Sequence, residues 1–292
     1  MASSENSPAQ TILYLRPQTA EGIEVLDILA NEPYVREVAP PPEPVDVPLG
    51  EIPNLFPTTH LSPYNNALYD HDRISRESSP GLYSICPRVF RLGFKSIDPP
   101  SPRGFEIGCG PTSDVKVPYY SKKSSKNPLR AYFRIHYNFN SGALLITALD
   151  EIKVGSAVLK KNEPLLLMAG TIIHCGGEFE FVVELPDISN CAEEHEQNYQ
   201  KYAAKLGFPD AQYLPTPQAE YSPIGAEHRS VVVLGKGAFG EVHKALHTKT
   251  AAQFAIKILS GEGENEMKEV NIMSRLCHVG LVRACSVLCT DL

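Results

Sequence analysis

The 292-residue sequence has no tryptophan, no C-x-x-C pair, no apolar run of membrane length, and no lysine in its first eighty positions. A membrane helix needs about 20 consecutive apolar residues, so no membrane partner is expected. Residues 1–10 have neither the basic nor the apolar region of a secretory signal. The seven cysteines are an odd number without metal or redox spacing, which points to reduced thiols in an intracellular protein, with nucleus or cytoplasm left open. Basic residues are outnumbered: a net charge of −7 argues against a general nucleic-acid partner. His243 and His247 have a helical metal-pair spacing but read as strand residues. Four residues of strand span about 13 Å, too far for two ligands of one ion, so no metal site is expected.

What the chain does have is unevenly distributed. Residues 1–80 hold twelve prolines, four arginines and twelve acidic residues, a local charge of 4 − 12 = −8. Pro40, Pro41, Pro42 and Pro44 enforce extended backbone and remove hydrogen-bond donors. The apolar islands Ile12–Leu15 and Ile23–Leu29 are short against the entropy of ordering such a length. The composition predicts a disordered, acidic, proline-rich arm over 1–85, its islands being alternatively docking segments that fold on a partner.

From residue 86 to 186 short apolar runs alternate with turns: RVFRLGF, FEIGC, DVKVP, AYFRIHYN, GALLITAL, EIKVG, EPLLLMAG, TIIHC and EFEFVVEL. Asn140-Ser141-Gly142 and His174–Gly177 supply turn chemistry. Phe179, Phe181 and Val183 alternate with glutamates except where Val182 interrupts, the pattern of a half-buried strand. About eight such strands predict an all-β sandwich. Residues 187–228 read as a linker with one helix. Asn190 and Glu193 suggest a capping box, Tyr199, Tyr202, Ala203 and Leu206 recur at helical spacing, and Gly207 supplies the stop.

The segment 229–292 carries the densest chemistry. Gly235, Gly237 and Gly240 with Val242 spell G-x-G-x-x-G-x-V, and Phe254–Leu259 reads FAIKIL. Glycines let backbone amides approach phosphate without Cβ interference. A lone G-x-G-x-x-G also occurs in dinucleotide folds, where it separates a strand from a helix. Here β-branched Val231–Val233 precede it and strand-like EVHKAL and QFAIKIL follow, so it sits in a hairpin. As plain structure, the glycines would be hairpin residues and Lys257 a surface lysine.

Together these residues resemble the nucleotide-gripping N-lobe of serine/threonine protein kinases. The resemblance implies ATP as ligand. It assigns nucleotide contact to Leu234, Gly235, Lys236, Gly237, Ala238, Phe239, Gly240, Val242, Ala255 and Lys257. Leu234 and Val242 would roof the adenine, Phe239 would cover the phosphates, and Ala255 would stack below the base. Lys257 would neutralise phosphate oxygens, held by Glu269 from a helix that includes Val270, Met273 and Leu276. His278 follows as in the family, with Val279 in place of the family's proline. The family's chemistry further needs the aspartates of H-R-D and D-F-G, the second of which holds Mg²⁺. Neither motif occurs in this sequence, so no catalytic residue is assigned and a kinase lobe cut short is expected.

Phe105–Pro118, FEIGCGPTSDVKVP, resembles the opening of a forkhead-associated domain, a family that recognises phosphothreonine peptides. Ile107-Gly108 and Asp114-Val115 fit, and the strands at 143–149, 165–169 and 179–185 sit where the family's would. The resemblance implies a protein partner or substrate, in particular a phosphoprotein. The family's phosphate-binding arginine falls on Cys109, and its serine and histidine fall near Leu129 and Tyr132. Lys116, Lys122, Lys123, Lys126, Arg130 and Arg134 form a basic stretch that reads either as a phosphopeptide attractor or as a solvated loop and strand face. A sandwich ahead of a kinase lobe resembles the fungal checkpoint and meiotic kinases. The alternative reading is a non-catalytic binding module with a vestigial lobe.

Overall fold

The computed structural model describes residues 7–37, 88–96, 101–118, 131–176, 179–214, 222–224, 227–237, 240–259, 268 and 271–272. These form three sheets. The first has seven strands: β1 (Thr11–Pro17), β2 (Val35–Glu37), β3 (Arg88–Gly93), β8 (Ile152–Val154), β9 (Ala157–Leu159), β11 (Ile172–Cys175) and β12 (Phe179–Glu184), in the order β2-β3-β1-β12-β11-β8-β9. The second has five: β4 (Phe105–Gly108), β5 (Val115–Lys116), β6 (Ala131–Asn138), β7 (Ala143–Ala148) and β10 (Pro164–Leu166), in the order β10-β7-β6-β4-β5. The pairing of β4 with β5 is parallel, whereas β6 pairs antiparallel with both β4 and β7.

The core lies between these two sheets, where Leu13, Leu15, Phe90, Phe181 and Val183 meet Ile107, Phe133, Ile135 and Ile146. Strand β12 shows the alternation the sequence implied: Phe179, Phe181 and Val183 are buried, Glu180, Val182 and Glu184 half-buried. Val182 breaks the chemical pattern but keeps its place in the geometric one.

The expectation of a disordered arm over 1–85 is corrected for residues 7–37. Strand β1 is an interior strand of the seven-stranded sheet, third in its order, pairing antiparallel with β12 on one side and β3 on the other. Six of its seven residues are buried, Thr11 and Arg16 among them, and Tyr14 is half-buried. Its partners lie more than seventy positions away, so local composition undervalued the island. The Arg16 guanidinium is buried and forks onto Glu184 of β12, with Nη2 donating to Oε2 at 2.9 Å and Nε to Oε1. A short helix α1 (Ala20–Val25) follows, capped by Thr19 Oγ1, which accepts from Gly22 N at 3.1 Å. Asn31 then pins the segment to the second sheet. Its Nδ2 donates to Val25 O and Lys116 O at 2.8 and 2.7 Å, and its Oδ1 accepts from Lys116 N at 2.6 Å. The rest of the proposed arm lies outside the described residues.

The linker expectation is corrected as well. Helix α2 (Ala192–Lys205) packs on the sandwich with His195, Tyr199, Tyr202 and Ala203 buried. Its N-cap is Cys191 without a side-chain bond, so the Asn190 capping box does not form. Gly207 ends it in the left-handed region, φ +89°. The helix brings aromatics to aromatics: Tyr199 meets Tyr137 edge-on at 5.0 Å, and Phe208 stacks on Phe139 at 4.6 Å. His195 is buried, its Nε2–H donating to Thr11 O at 3.1 Å and its Nδ1 lying 3.0 Å from Tyr213 Oη. Burial lowers its pKa below the usual histidine value.

The third sheet is β13 (Ser222–Ile224), β14 (His228–Gly237), β15 (Gly240–His247) and β16 (Gln253–Ile258), in that order. A small apolar cluster joins it to the sandwich: Ala143, Leu145, Leu166 and Leu214 surround Leu246 and Ala251.

Candidate functional site

The glycine motif forms the tip of the β14–β15 hairpin. Gly237 pairs with Gly240, and Gly235 with Val242, across a strand pair whose register shifts between Val233 and Gly235. β-Branched Val231–Val233 favour the extended backbone leading in. Gly240 has φ +126°, and a Cβ there would sit 2.0 Å from Ile258 O, so no other residue fits. At Gly235 and Gly237 a Cβ would meet nothing within 4 Å. Those two positions open space above the strand without being required by local packing.

Strand β16 brings the lysine to the same place. Val242 pairs with Gly235 on one side and with Lys257 on the other, so the three residues form one row across β14, β15 and β16. Cross-strand partners share a face of the sheet. Ala255, two positions before Lys257, shares that face by the period of a strand. Leu234 is 58 % exposed beside the row, and Val242 is half-buried. Ala238, Phe239 and Glu269 lie outside the described residues.

Lys236 separates from the group. It alternates to the other face, and its Nζ pairs with Glu241 Oε1 at 2.5 Å across the hairpin. That contact raises the lysine pKa and lowers that of the glutamate. Glu241 also lies 3.4 Å from His243 Nε2, whose ring Nδ1 meets Ser230 Oγ at 2.8 Å. The sequence reading missed Glu241. Counting outward from a two-residue turn between Gly237 and Gly240 would have placed Lys236 opposite it.

The second candidate region, around Cys109, arranges its charges differently. Lys116 Nζ donates to Gly110 O and Pro111 O at 2.8 and 2.9 Å, closing the loop that carries Cys109. Arg134 Nη2 pairs with Glu106 Oε1 at 3.1 Å. Asp114 Oδ2 accepts from Glu106 N at 2.8 Å, and burial is the main cause of its raised pKa. Tyr132 is buried, its hydroxyl directed to Pro118 O at 3.4 Å. The two described members of the basic stretch are thus engaged within the fold, while Lys122, Lys123, Lys126, Arg130 and Leu129 lie outside the described residues.

A cavity of about 250 Å³ opens at the β8–β9 end of the first sheet, bordered by Lys153, Val158, and His174 with its Nδ1 2.9 Å from Glu180 Oε1. It shares no residue with either candidate region. Among the described residues no group of three or more His, Cys, Asp or Glu side chains could hold a metal ion. His243 and His247 lie on strand β15.

No family profile matches the sequence, and no curated protein matches it. Among solved structures the chain is similar to Rad53 1-466 in complex with AMP-PNP, at 20% sequence identity and a TM-score of 0.36. The match covers 62% of this chain and 42% of that one, so this chain corresponds to less than half of that structure's length.

Proposed function

We propose that the chain is the N-terminal portion of an ATP-dependent serine/threonine protein kinase, with a forkhead-associated-like sandwich ahead of a nucleotide-gripping hairpin sheet. The observation that carries this is the row Gly235–Val242–Lys257, a glycine, an apolar residue and a cation aligned across three strands beside a hairpin tip. The open space at Gly235 and Gly237 admits a polyphosphate against backbone amides. Lys257 supplies the positive charge, and Ala255 leaves room for a planar base on the same face. Mg²⁺ would accompany the nucleotide, held by its phosphates and by aspartates of the D-F-G kind, which this sequence does not contain. The 292-residue polypeptide binds nucleotide weakly and does not transfer phosphate.

The test is a ³¹P NMR titration of Mg-ATP with the full chain. Binding in the millimolar range, about 4 kcal/mol, is expected, with line broadening lost in Lys257→Met. An identical titration for wild type and Lys257→Met would remove the row from the function. The second reading, a non-catalytic binding module, is favoured by one observation: the sandwich holds the large buried core, and the hairpin sheet is an appendage to it.

A further inference from the structure

Among the described residues, the third sheet meets the sandwich around the turn between β15 and β16, where three separate segments contribute. From the edge strand β10, Leu166 N donates to Thr248 O at 2.6 Å. From the β6–β7 turn, Asn138 Nδ2 donates to Thr250 O at 2.9 Å, and Asn140 O accepts from Gln253 Nε2 at 3.1 Å. From the stretch after α2, Gln212 Oε1 accepts from the same Gln253 amide, and Leu214 enters the apolar cluster around Leu246 and Ala251.

That last stretch is itself held by the sandwich. Gln212 N donates to Phe139 O at 3.1 Å, and Tyr199 Oη of α2 donates to Gln212 O at 2.6 Å. Gly142 makes room for it: its φ is +75°, and a Cβ there would lie 2.5 Å from Gln212 O. The turn being gripped is demanding in its own right. Ala251 takes φ +54°, unusual for a residue with a side chain, and is fully buried.

Among the described residues, the opposite end of the sheet holds few buried apolar side chains. Val232, Val233, Leu234 and Ile258 are 44–58 % exposed, while Ala245, Leu246 and Ala251 at the gripped end are completely buried. Buried apolar contact is therefore concentrated at the clamp, and the glycine row sits at the unsupported end.

We propose that the sandwich is the foundation of the hairpin sheet: by clamping the β15–β16 turn it sets the register of β15 and β16, and hence the alignment of Val242 with Lys257. The sandwich then acts as an intramolecular docking surface whose partner is the turn 247–253 of the same chain. Nucleotide plays no part in the argument, so this inference stands or falls separately from the proposed function.

The test is amide hydrogen exchange on the full chain without nucleotide, comparing wild type with Asn138→Ala/Gln253→Ala and with Leu214→Asp. Exchange in Val231–Ile258 is expected to accelerate at least ten-fold in both variants, with β1 and β12 keeping their wild-type protection. Unchanged protection of β14–β16 in both variants overturns the proposal. Where Leu214→Asp also loosens β1 and β12, Gln253→Ala alone decides, since its half-buried amide touches only the clamp. A ten-fold local acceleration there supports the clamp, and wild-type exchange rejects it.

Discussion

The sandwich and the hairpin sheet are built on opposite allocations of sequence. In the sandwich, apolar residues fill both inner faces, and the strands carry few residues with evident chemistry. In the hairpin sheet, the residues of the proposed nucleotide site are glycines, Lys257 and Ala255, and apolar side chains such as Leu234 are left in solvent. A region recognisable by motif need not be well packed, and a well-packed region need not carry a motif. The same substitution in the two regions exposes the difference.

Leu15→Ala removes a fully buried side chain from the interior strand β1. A core Leu→Ala costs about 2–5 kcal/mol, and the upper part of that range is expected because β1 is enclosed on both faces. Leu234→Ala, at a 58 % exposed position, should change stability by less than about 0.5 kcal/mol. Urea denaturation of both variants checks the pair. Equal losses would show that the hairpin sheet has a core of its own.

Asn31→Ala probes how firmly the N-terminal segment belongs to the sandwich. The substitution leaves Lys116 N, Lys116 O and Val25 O without their side-chain partner. Unsatisfied buried groups cost about 1–3 kcal/mol each, so a loss near 2 kcal/mol is expected after partial relaxation. Unaltered denaturation would return residues 20–37 to the status of a loosely attached arm.

A third comparison uses pH. His195 and His136 in the sandwich both have lowered pKa values, with burial as the largest cause. The unfolded chain therefore binds protons at these sites at a higher pH than the folded one. Their contribution is fully present above the unfolded value of about 6.5 and is lost as pH falls from there towards the folded values. The sandwich should weaken on acidification below about pH 6.5, and His195→Gln should flatten that slope. An equally steep slope in His195→Gln would assign the acid sensitivity to other groups.

The two regions also differ in how much the sequence disclosed. All nine apolar runs between 88 and 185 correspond to strands, because alternation and turn residues are local signals. The succession of strands around the glycines was legible for the same reason, whereas the register was not: the pairing of Val242 with Lys257 belongs to β15 and β16, beyond the glycine turn. Strand β1 was not legible. Ile12–Leu15 gains its stability from β3 and β12, and nothing within ten residues of it announces them. Helix α2 is visible in the sequence as a helix, but its docking is not, because the surface its aromatic face covers is made of Phe94, Tyr137 and Phe139 from elsewhere in the chain. The Lys236–Glu241 pair shows the limit at the site: a motif places Lys236 with the glycines, whereas strand alternation sends it to the other face.

The smallest expected effect concerns the sandwich as a ligand-binding region. A phosphothreonine site needs charge-assisted donors free to meet the phosphate, each worth roughly 1.5–3 kcal/mol. Cys109 stands where the resemblance calls for an arginine, Lys116 is tied to Gly110 and Pro111, and Arg134 to Glu106. Removing either cation from its internal partner would cost about as much as the phosphate contact returned. Fluorescence anisotropy should therefore show no difference between phosphothreonine peptides and their plain counterparts at micromolar concentration. A phosphate-dependent signal abolished by Lys122→Glu/Lys123→Glu would reverse the comparison. The sandwich would then hold a site of its own, carried by the basic stretch and not by the framework, and the contrast between a packed region and a chemical region would no longer divide this chain.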